Sequence, residues 1–361
     1  MLKDGRPENP DDLEKWVETS WSRMSGSSVW LERYSVFMTV TRVFEYAKGV
    51  RHWSRVSFLR VQLFDQNWQH LQDHSIEWQG KTFTFPCILD VDFVWARGGV
   101  FYGPEDPRIA IRPDDPDAEP VIACSMMSSL EPAEHDMFIV FPFSNRTVLL
   151  NSTGTPRSTE KNWSPFFLPL NYTKGQATSS PNRIHFIHKH YPLTVLECKL
   201  SDGTCITLYK QVMDEDYTKA HGHFDAKTTI TGGTNLVLLP EQTRPGLLSY
   251  IALPRTHTDV GCKQSDGEAG YRPELTVITT DGTSFWFDYY SDPIEYGEVV
   301  FGNFSTAIGD ACNDGRILLT NSIARIEPVQ DIVTVTISVA DKTVQVLRIR
   351  DTSSTLPKWT I

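Results

Sequence analysis

Residues 332–340, Ile-Val-Thr-Val-Thr-Ile-Ser-Val-Ala, and 343–349, Thr-Val-Gln-Val-Leu-Arg-Ile, flank Asp341-Lys342, and their reading decides the fold class. Both runs alternate with a period of two, the period at which strand side chains change face. Two such runs joined by two polar residues predict a β-hairpin turning at Asp341-Lys342. The same signature recurs upstream at 34–42, 56–64, 139–143, 194–200, 206–212, 236–239, 248–253, 275–279 and 284–289. Each of these is short, rich in β-branched and aromatic residues, and bounded by turn residues. One helix stands apart from this pattern. Asn9 can cap it, Pro10 suits its first turn, and Asp11, Asp12 and Glu14 favour the positive end of its dipole. Leu13, Trp16 and Val17 share one face, and the helix is expected to end between residues 22 and 26.

Strands at short spacing without intervening helices predict an all-β sandwich, barrel or propeller. No strict repeat is visible, and degenerate blades of about 40 to 60 residues would look like this. Long loops are expected at 112–120, 151–182 and 255–272. The expected organisation is a helical extension over 1–28 and one compact β domain over 29–361.

The chain has 361 residues, of which 40% are hydrophobic, and a formal net charge of -11. That balance excludes a basic nucleic-acid groove. No run of 18 apolar residues exists to span a membrane, and the polar first ten residues are not a signal peptide. Cys198 and Cys205 flank the turn Ser201-Asp202-Gly203, so either a cross-strand disulfide or two thiols fit there. Asn-x-Ser/Thr sequons at Asn145, Asn151, Asn162, Asn171 and Asn303 lean toward a secretory compartment, although Pro165 makes Asn162 a poor acceptor.

Several motifs fail. Gly80-Lys81-Thr82 ends like a phosphate loop, but Ser75 stands where the first glycine belongs. His188 and His190 are expected on one face of a strand, as are His221 and His223, yet no third zinc ligand is placed beside either pair. Asp90-Val91-Asp92 could hold a divalent ion or be two solvated acids. No metal site is assigned.

The segment Gly103-Pro104-Glu105-Asp106-Pro107-Arg108 is denser in chemistry. Two carboxylates and a guanidinium sit between prolines that fix the backbone, and Arg108 can keep a neighbouring carboxylate ionised. A structural turn with a salt bridge is the plain alternative. In Glu160-Lys161-Asn162-Trp163 a cation and an amide stand beside an indole, a mixture suited to a sugar or a phosphate.

These two segments, in this order, resemble the fungal β-1,2-mannosyltransferases, glycosyltransferase family 91. The likeness continues in Thr41-Arg42, Ser57-Phe58-Leu59-Arg60, Tyr191-Pro192-Leu193 through Cys205, Gly232-Gly233-Thr234, Tyr271-Arg272-Pro273 and Asn321-Ser322-Ile323-Ala324. A more distant likeness is to the mannoside phosphorylases of glycoside hydrolase family 130, which also carry Glu-Asp-Pro-Arg and are five-bladed β-propellers. The resemblance implies a five-bladed propeller and inverting transfer of mannose from GDP-mannose to the 2-hydroxyl of a mannan or glycolipid acceptor. It makes Asp106 the proton-handling residue, with Glu105 and Arg108 shaping the site. It makes Arg42, Arg60, Arg108, Lys161, His257 and Arg272 candidates for the donor phosphates, and adds Asn162, Trp163 and Tyr271 as substrate contacts. It implies no cofactor and action in the secretory pathway, in the Golgi lumen, with the usual membrane anchor absent from this chain. Phosphorolysis, or transfer from mannose 1-phosphate, is the alternative reading, because one acid among cations serves either reaction.

Overall fold

The computed structural model describes residues 9–47, 50–96, 99–130, 133–152, 160–170, 172–174, 177–178, 180–212, 230–240, 244–259, 269–294, 296, 300, 317–339 and 343–350. After one helix, Pro10–Ser20, these residues form a succession of antiparallel sheets in chain order. The first sheet holds Trp21–Leu31, Val36–Ala47, Val50–Phe64 and His70–Leu71, with Cys87–Ile88 paired on Val50–Phe64. The second runs Glu105–Ala110, Val121–Leu130, Ala133–Phe141 and Arg146–Leu149. In the third, Ser164–Phe166, Arg183–His190, Leu193–Lys199 and Thr204–Lys210 follow one another, and Asn151–Ser152 adds in parallel at the far edge. The fourth contains Val237–Leu238, Leu248–Ala252, Thr276–Thr280 and Phe285–Tyr290, and the fifth Leu318–Glu327, Ile332–Val339 and Thr343–Arg350. A small sheet pairs Ile230–Thr231, which precedes the fourth in the chain, with Arg255–Asp259 and Ala269–Pro273, which come between its second and third strands. No described helix is long and apolar enough to cross a membrane.

Apolar residues that alternate along the strands fill the spaces between successive sheets. Met38, Leu59 and Val61 of the first meet Ile109 and Ile122 of the second. Ile139 and Phe141 meet Ile184 and Phe186, Ile187 and Val195 meet Tyr250 and Ile278, and Ile251 and Val277 meet Val335 and Ile337. The fifth sheet comes back to the first through small polar residues instead. Ser28 N donates to Ser322 Oγ at 2.7 Å and Ser25 N to Ser338 Oγ at 3.1 Å. A Cβ on Gly26 would lie 2.4 Å from Val344 Cγ1, so this approach needs glycine.

The leading strand of each sheet is tied to those of its neighbours. Ile109 N donates to Ser27 Oγ at 3.0 Å, and Leu236 N to Pro165 O at 3.0 Å. Asn235 makes a reciprocal pair with Ile323, accepting from its N–H at 3.0 Å and donating to its carbonyl at 3.3 Å. Arg112 links the second sheet to the third by donating to the carbonyls of Leu168, Ser180, Pro181 and Arg183. Serine, threonine and asparagine suit this place because they answer backbone groups that no ladder satisfies.

The hairpin read from the sequence pairs Ile332 with Arg350 through to Val339 with Thr343. Its turn, Asp341-Lys342, lies outside the described residues. Cys198 and Cys205 face each other across neighbouring strands and are joined as a disulfide, Cα atoms 4.0 Å apart. Three expectations are corrected. The helix stops at Ser20 and strand begins at Trp21, so a boundary at residue 28 would cut a strand pinned to the second and fifth sheets. The expected loop 255–272 contains Arg255–Asp259 and part of Ala269–Pro273, a ladder its mixed composition hides. His188 and His190 turn to opposite sides, because a bulge between Ile187 and Lys189 inserts one residue and reverses the alternation. His188 meets Trp163, and His190 stacks on Phe287 of the fourth sheet. His221 and His223 lie outside the described residues.

Asn235→Ala strips partners from two buried backbone groups of Ile323. A loss of roughly 2–4 kcal/mol is expected, read as a lower denaturant midpoint with an unchanged slope.

Candidate active site

The Glu105–Arg108 segment opens the leading strand of the second sheet. Its approach is stapled to the first sheet: Phe101 N donates to Ser54 O at 2.7 Å and Ser57 N to Tyr102 O at 2.8 Å. Gly103 has φ +81°, and a Cβ there would lie 2.1 Å from Ser57 O, so only glycine allows this approach. Glu105 pairs with Ser125 and Arg108 with Ala123, leaving one residue extra on the leading strand. This is a β-bulge, and Pro107 sits in it without a ladder donor to lose. Asp106 takes φ +47°, a left-handed conformation that aspartate tolerates better than most side chains. The bulge thus re-aims the carboxylate out of the normal alternation.

Asp106 Oδ1 accepts from Ser25 Oγ at 3.0 Å. Burial alone would raise the Asp106 pKa, but the charges of Arg42, Arg108 and Arg255, with the Ser25 hydrogen bond, pull it below the ordinary carboxylate range. Glu105 behaves oppositely. Burial, with the negative charge of Asp106, outweighs Arg42 and Lys161 and raises its pKa. The two neighbouring acids are therefore driven apart, and Asp106 ionises first. By linkage, the favourable field of the three arginines on Asp106 stabilises the fold above the unfolded carboxylate pKa, and that contribution fades as pH falls through the folded value.

Three buried arginines come from three places. Arg42, on Val36–Ala47, donates Nη2 to Glu105 Oε1 at 2.5 Å and to Ser54 Oγ at 2.9 Å. Arg108 donates Nε to Gly233 O and Nη1 to Pro107 O at 2.9 Å. Its pKa is lowered to about 10, first by burial and then by Arg255, against the pull of Asp106. Arg255, on the small sheet, donates Nη2 to Asn162 Oδ1 at 2.7 Å and lies over the Tyr271 ring, 5.2 Å from its centre. The Nε groups of Arg42 and Arg255 are buried without a hydrogen-bond partner among the described residues. Gly232 and Gly233, at φ +51° and +105°, let this wall close: a Cβ on Gly232 would be 2.9 Å from Asn162 Cβ, and one on Gly233 2.3 Å from Leu253 O.

Most of the residues singled out from the sequence meet here. Glu105 is bonded to Arg42, Asn162 is bonded to Arg255, and the charges of Arg42, Arg108 and Arg255 act together on Asp106. Exposed Lys161 adds positive charge beside Glu105. Trp163 is under the site and not in it. It is 2% exposed, bonds Glu160 Oε2 through Nε1 at 3.1 Å, and packs edge-on against Phe186 and His188, so no ring face is offered to a sugar. Arg60 pairs with Thr41 while Arg42 pairs with Leu59, so Arg60 belongs to the opposite face of the first sheet. Arg272 pairs with Thr256 and lies on the other face of its strand from Tyr271. His257 lies opposite Tyr271, and its side chain is outside the described residues. Asp90 and Asp92 are exposed, and no cluster of three or more metal-ligating His, Cys, Asp or Glu side chains occurs among the described residues. Ser25 and Arg255 were missed. Ser25 is aimed by a bulge between Met24 and Ser27, and Arg255 by a ladder formed in the expected loop. Neither has a local sequence signal.

A strand-built cluster in which one carboxylate stands among three guanidiniums can keep that carboxylate ionised and can meet an anion. The chain belongs to the β-mannosyltransferases: the family's sequence profile matches residues 10–130 and 127–359. It is 31% identical to beta-mannosyltransferase 4 of Komagataella phaffii, covering 97% of this chain and 66% of the relative. It is 32% identical to beta-mannosyltransferase 3 of Candida albicans, covering 93% and 59%. It thus spans just under two thirds of these relatives' length at most. Among solved structures, a glycosyl hydrolase from Bacteroides ovatus superposes with a TM-score of 0.53 at 12% identity, covering 92% of this chain and 85% of that one, a likeness of fold.

Replacing Arg255 with methionine removes one of the charges holding Asp106 ionised. The Asp106 carboxyl pKa, followed by carbon NMR of labelled side chains, is expected to rise, while Arg272→Met leaves it unmoved.

Proposed function

We propose that this chain is an inverting β-1,2-mannosyltransferase that moves mannose from GDP-mannose to the 2-hydroxyl of a mannoside acceptor, in cell-wall mannan or a glycolipid. The observation that carries the reading is the convergence of Arg42, Arg108 and Arg255 on Asp106, in a chain of this family. Asp106 accepts the proton of the acceptor hydroxyl as its oxygen forms a bond to the anomeric carbon of mannose. The bond from that carbon to the donor phosphate breaks, and its electron pair leaves with GDP. Attack on the face opposite the leaving group inverts the centre. An ionised Asp106 suits this role, and Ser25 on Oδ1 orients it. Glu105, engaged by Arg42, holds that arginine in place. Charge building on the diphosphate is met by guanidinium groups already in position, so the transfer as read uses no cofactor.

The five sheets are read as the blades of one propeller. Their order along the chain and the meeting of the fifth with the first support this, as does the likeness of fold to the Bacteroides ovatus protein. The site then lies where the leading strands begin. The Cys198–Cys205 disulfide supports action in an oxidising secretory compartment, read here as the Golgi lumen. The same arginines would accept inorganic phosphate, so phosphorolysis of β-mannosides, or transfer from mannose 1-phosphate, is the second reading.

Purified protein with GDP-mannose and a β-mannooligosaccharide should give a longer product and free GDP. Asp106→Asn should lower the turnover rate by roughly 10²–10⁴ with little change in donor KM. Turnover in the variant equal to the wild type removes Asp106 from this role. Mannose 1-phosphate released in phosphate buffer, without transfer from GDP-mannose, selects the second reading.

A further inference from the structure

Four side chains at the start of the first sheet are used neither by the core nor by the Asp106 cluster. Leu59, Val61 and Leu63 face the second sheet in the core, so Phe58 and Arg60 point the other way. Arg23 pairs with Val43, which pairs with Phe58, and Thr41 pairs with Arg60. Arg23 and Arg60 therefore stand on one face, on the first and third strands. Trp21 stacks on Phe58, ring centres 6.2 Å apart and planes 21° from parallel. Phe93 and Trp16 close the group edge-on, at 6.1 Å from Phe58 and 6.3 Å from Trp21. All four rings are partly exposed, Arg23 is exposed and Arg60 half-buried.

The charge on this face is unbalanced. Arg60 is lowered below its usual pKa by burial and then by Arg23, and no carboxylate acts to restore it. Among the described residues neither arginine enters an ion pair. The nearest acid in register, Glu45, is buried and faces Arg55 at 3.8 Å. Two guanidiniums held together without an anion match the paired oxygens of phosphate groups. A ring stack beside them offers a flat apolar surface to a nucleobase.

The position relative to Asp106 completes the argument. Arg23 is two residues before Ser25, whose hydroxyl touches Asp106, and two residues span at most about 7 Å. Arg23 and Arg60 lie on the face of the first sheet opposite Arg42. A ligand with base, diphosphate and sugar would therefore pass from that face over the Ser25 bulge in Trp21–Leu31 to reach Asp106. We propose that Trp21, Arg23, Phe58 and Arg60 form the nucleoside-diphosphate end of the donor site, with the diphosphate between the two arginines and the base on the Trp21–Phe58 stack. This rests on the reading of the chain as a sugar-nucleotide-dependent transferase. It divides the cations into two sets: Arg23 and Arg60 hold the nucleoside side of the diphosphate, while Arg42, Arg108 and Arg255 govern Asp106 and meet the charge on the phosphate bonded to the sugar.

Steady-state transfer from GDP-mannose, with GDP and inorganic pyrophosphate as inhibitors, tests the division. Arg23→Gln lies on the surface and should leave the circular dichroism spectrum unchanged. Its donor KM and the inhibition constants of GDP and pyrophosphate should each rise roughly tenfold or more, the worth of a charge-assisted hydrogen bond. Acceptor KM should stay within about twofold. Arg60→Gln should behave alike, and Arg23→Lys should recover part of the loss. Trp21→Ala should weaken GDP and leave pyrophosphate unaffected. A rise in acceptor KM with donor KM unchanged would make this face an acceptor platform and overturn the inference, as would no change in either. In both cases wild-type transfer from GDP-mannose persists and the functional reading stands. A wild-type protein that transfers nothing from GDP-mannose sinks that reading, and this inference with it.

Discussion

The leading strands of the first and fifth sheets, and the approach to that of the fourth, carry buried serine, threonine and asparagine. Buried hydroxyls and amides are costly unless bonded, and here they are bonded to the backbone of the next sheet. Ser27 holds Ile109 N, Ser322 holds Ser28 N, and Asn235 holds both backbone groups of Ile323. Apolar packing between sheets sets their spacing but not their height relative to one another. These directional bonds do, and the position of every residue near Asp106 follows from them. Arg42, Asp106, Asn162 and Arg255 come from four separate parts of the chain and meet only when the sheets are held in register.

The site itself is made of departures from regular strand. Asp106 lies in a bulge at a left-handed dihedral, Ser25 in another, and Gly232 and Gly233 take conformations closed to larger residues. Each departure costs some local stability and lies where strands begin, away from the interior ladder. The return is aim. A carboxylate in normal alternation would face the first–second core or its opposite side, and neither reaches three guanidiniums. Burial raises Glu105 while the arginines lower Asp106, so carboxylates on adjacent residues are driven apart in pKa.

The far ends of the same leading strands enclose a separate cavity of about 550 Å³, lined in part by Trp30, Phe166, Tyr250 and Arg325. Arg325 lies over Trp30 and pairs with Glu327, and Arg112 is spent on backbone carbonyls, so charge there is internally balanced. The contrast with the Arg23–Arg60 face is electrostatic. One is neutralised by its own neighbours, and the other carries two cations that nothing described offsets.

Alternation by itself determined the all-β class and the last hairpin, because a period of two has one structural solution when one face is buried. Dense local chemistry marked Glu105, Asp106, Arg108 and Asn162, since their neighbours along the chain already fix the backbone. Trp163 shows the limit of that reading: an indole beside a cation looks like a sugar platform until the fold buries it among the second and third sheets. Arg60 and Arg272 show another, since one residue of register decides which side of a sheet a cation serves. His188 and His190 were separated by a bulge invisible in their spacing. Ser25 and Arg255 carry no local mark at all. Their importance is created by contacts 81 and 93 positions away in sequence, to Asp106 and Asn162. Composition and period act over a few residues, whereas the aim of a side chain across sheets depends on where bulges, glycines and inter-sheet bonds stop the strands. Only the tertiary structure decides that.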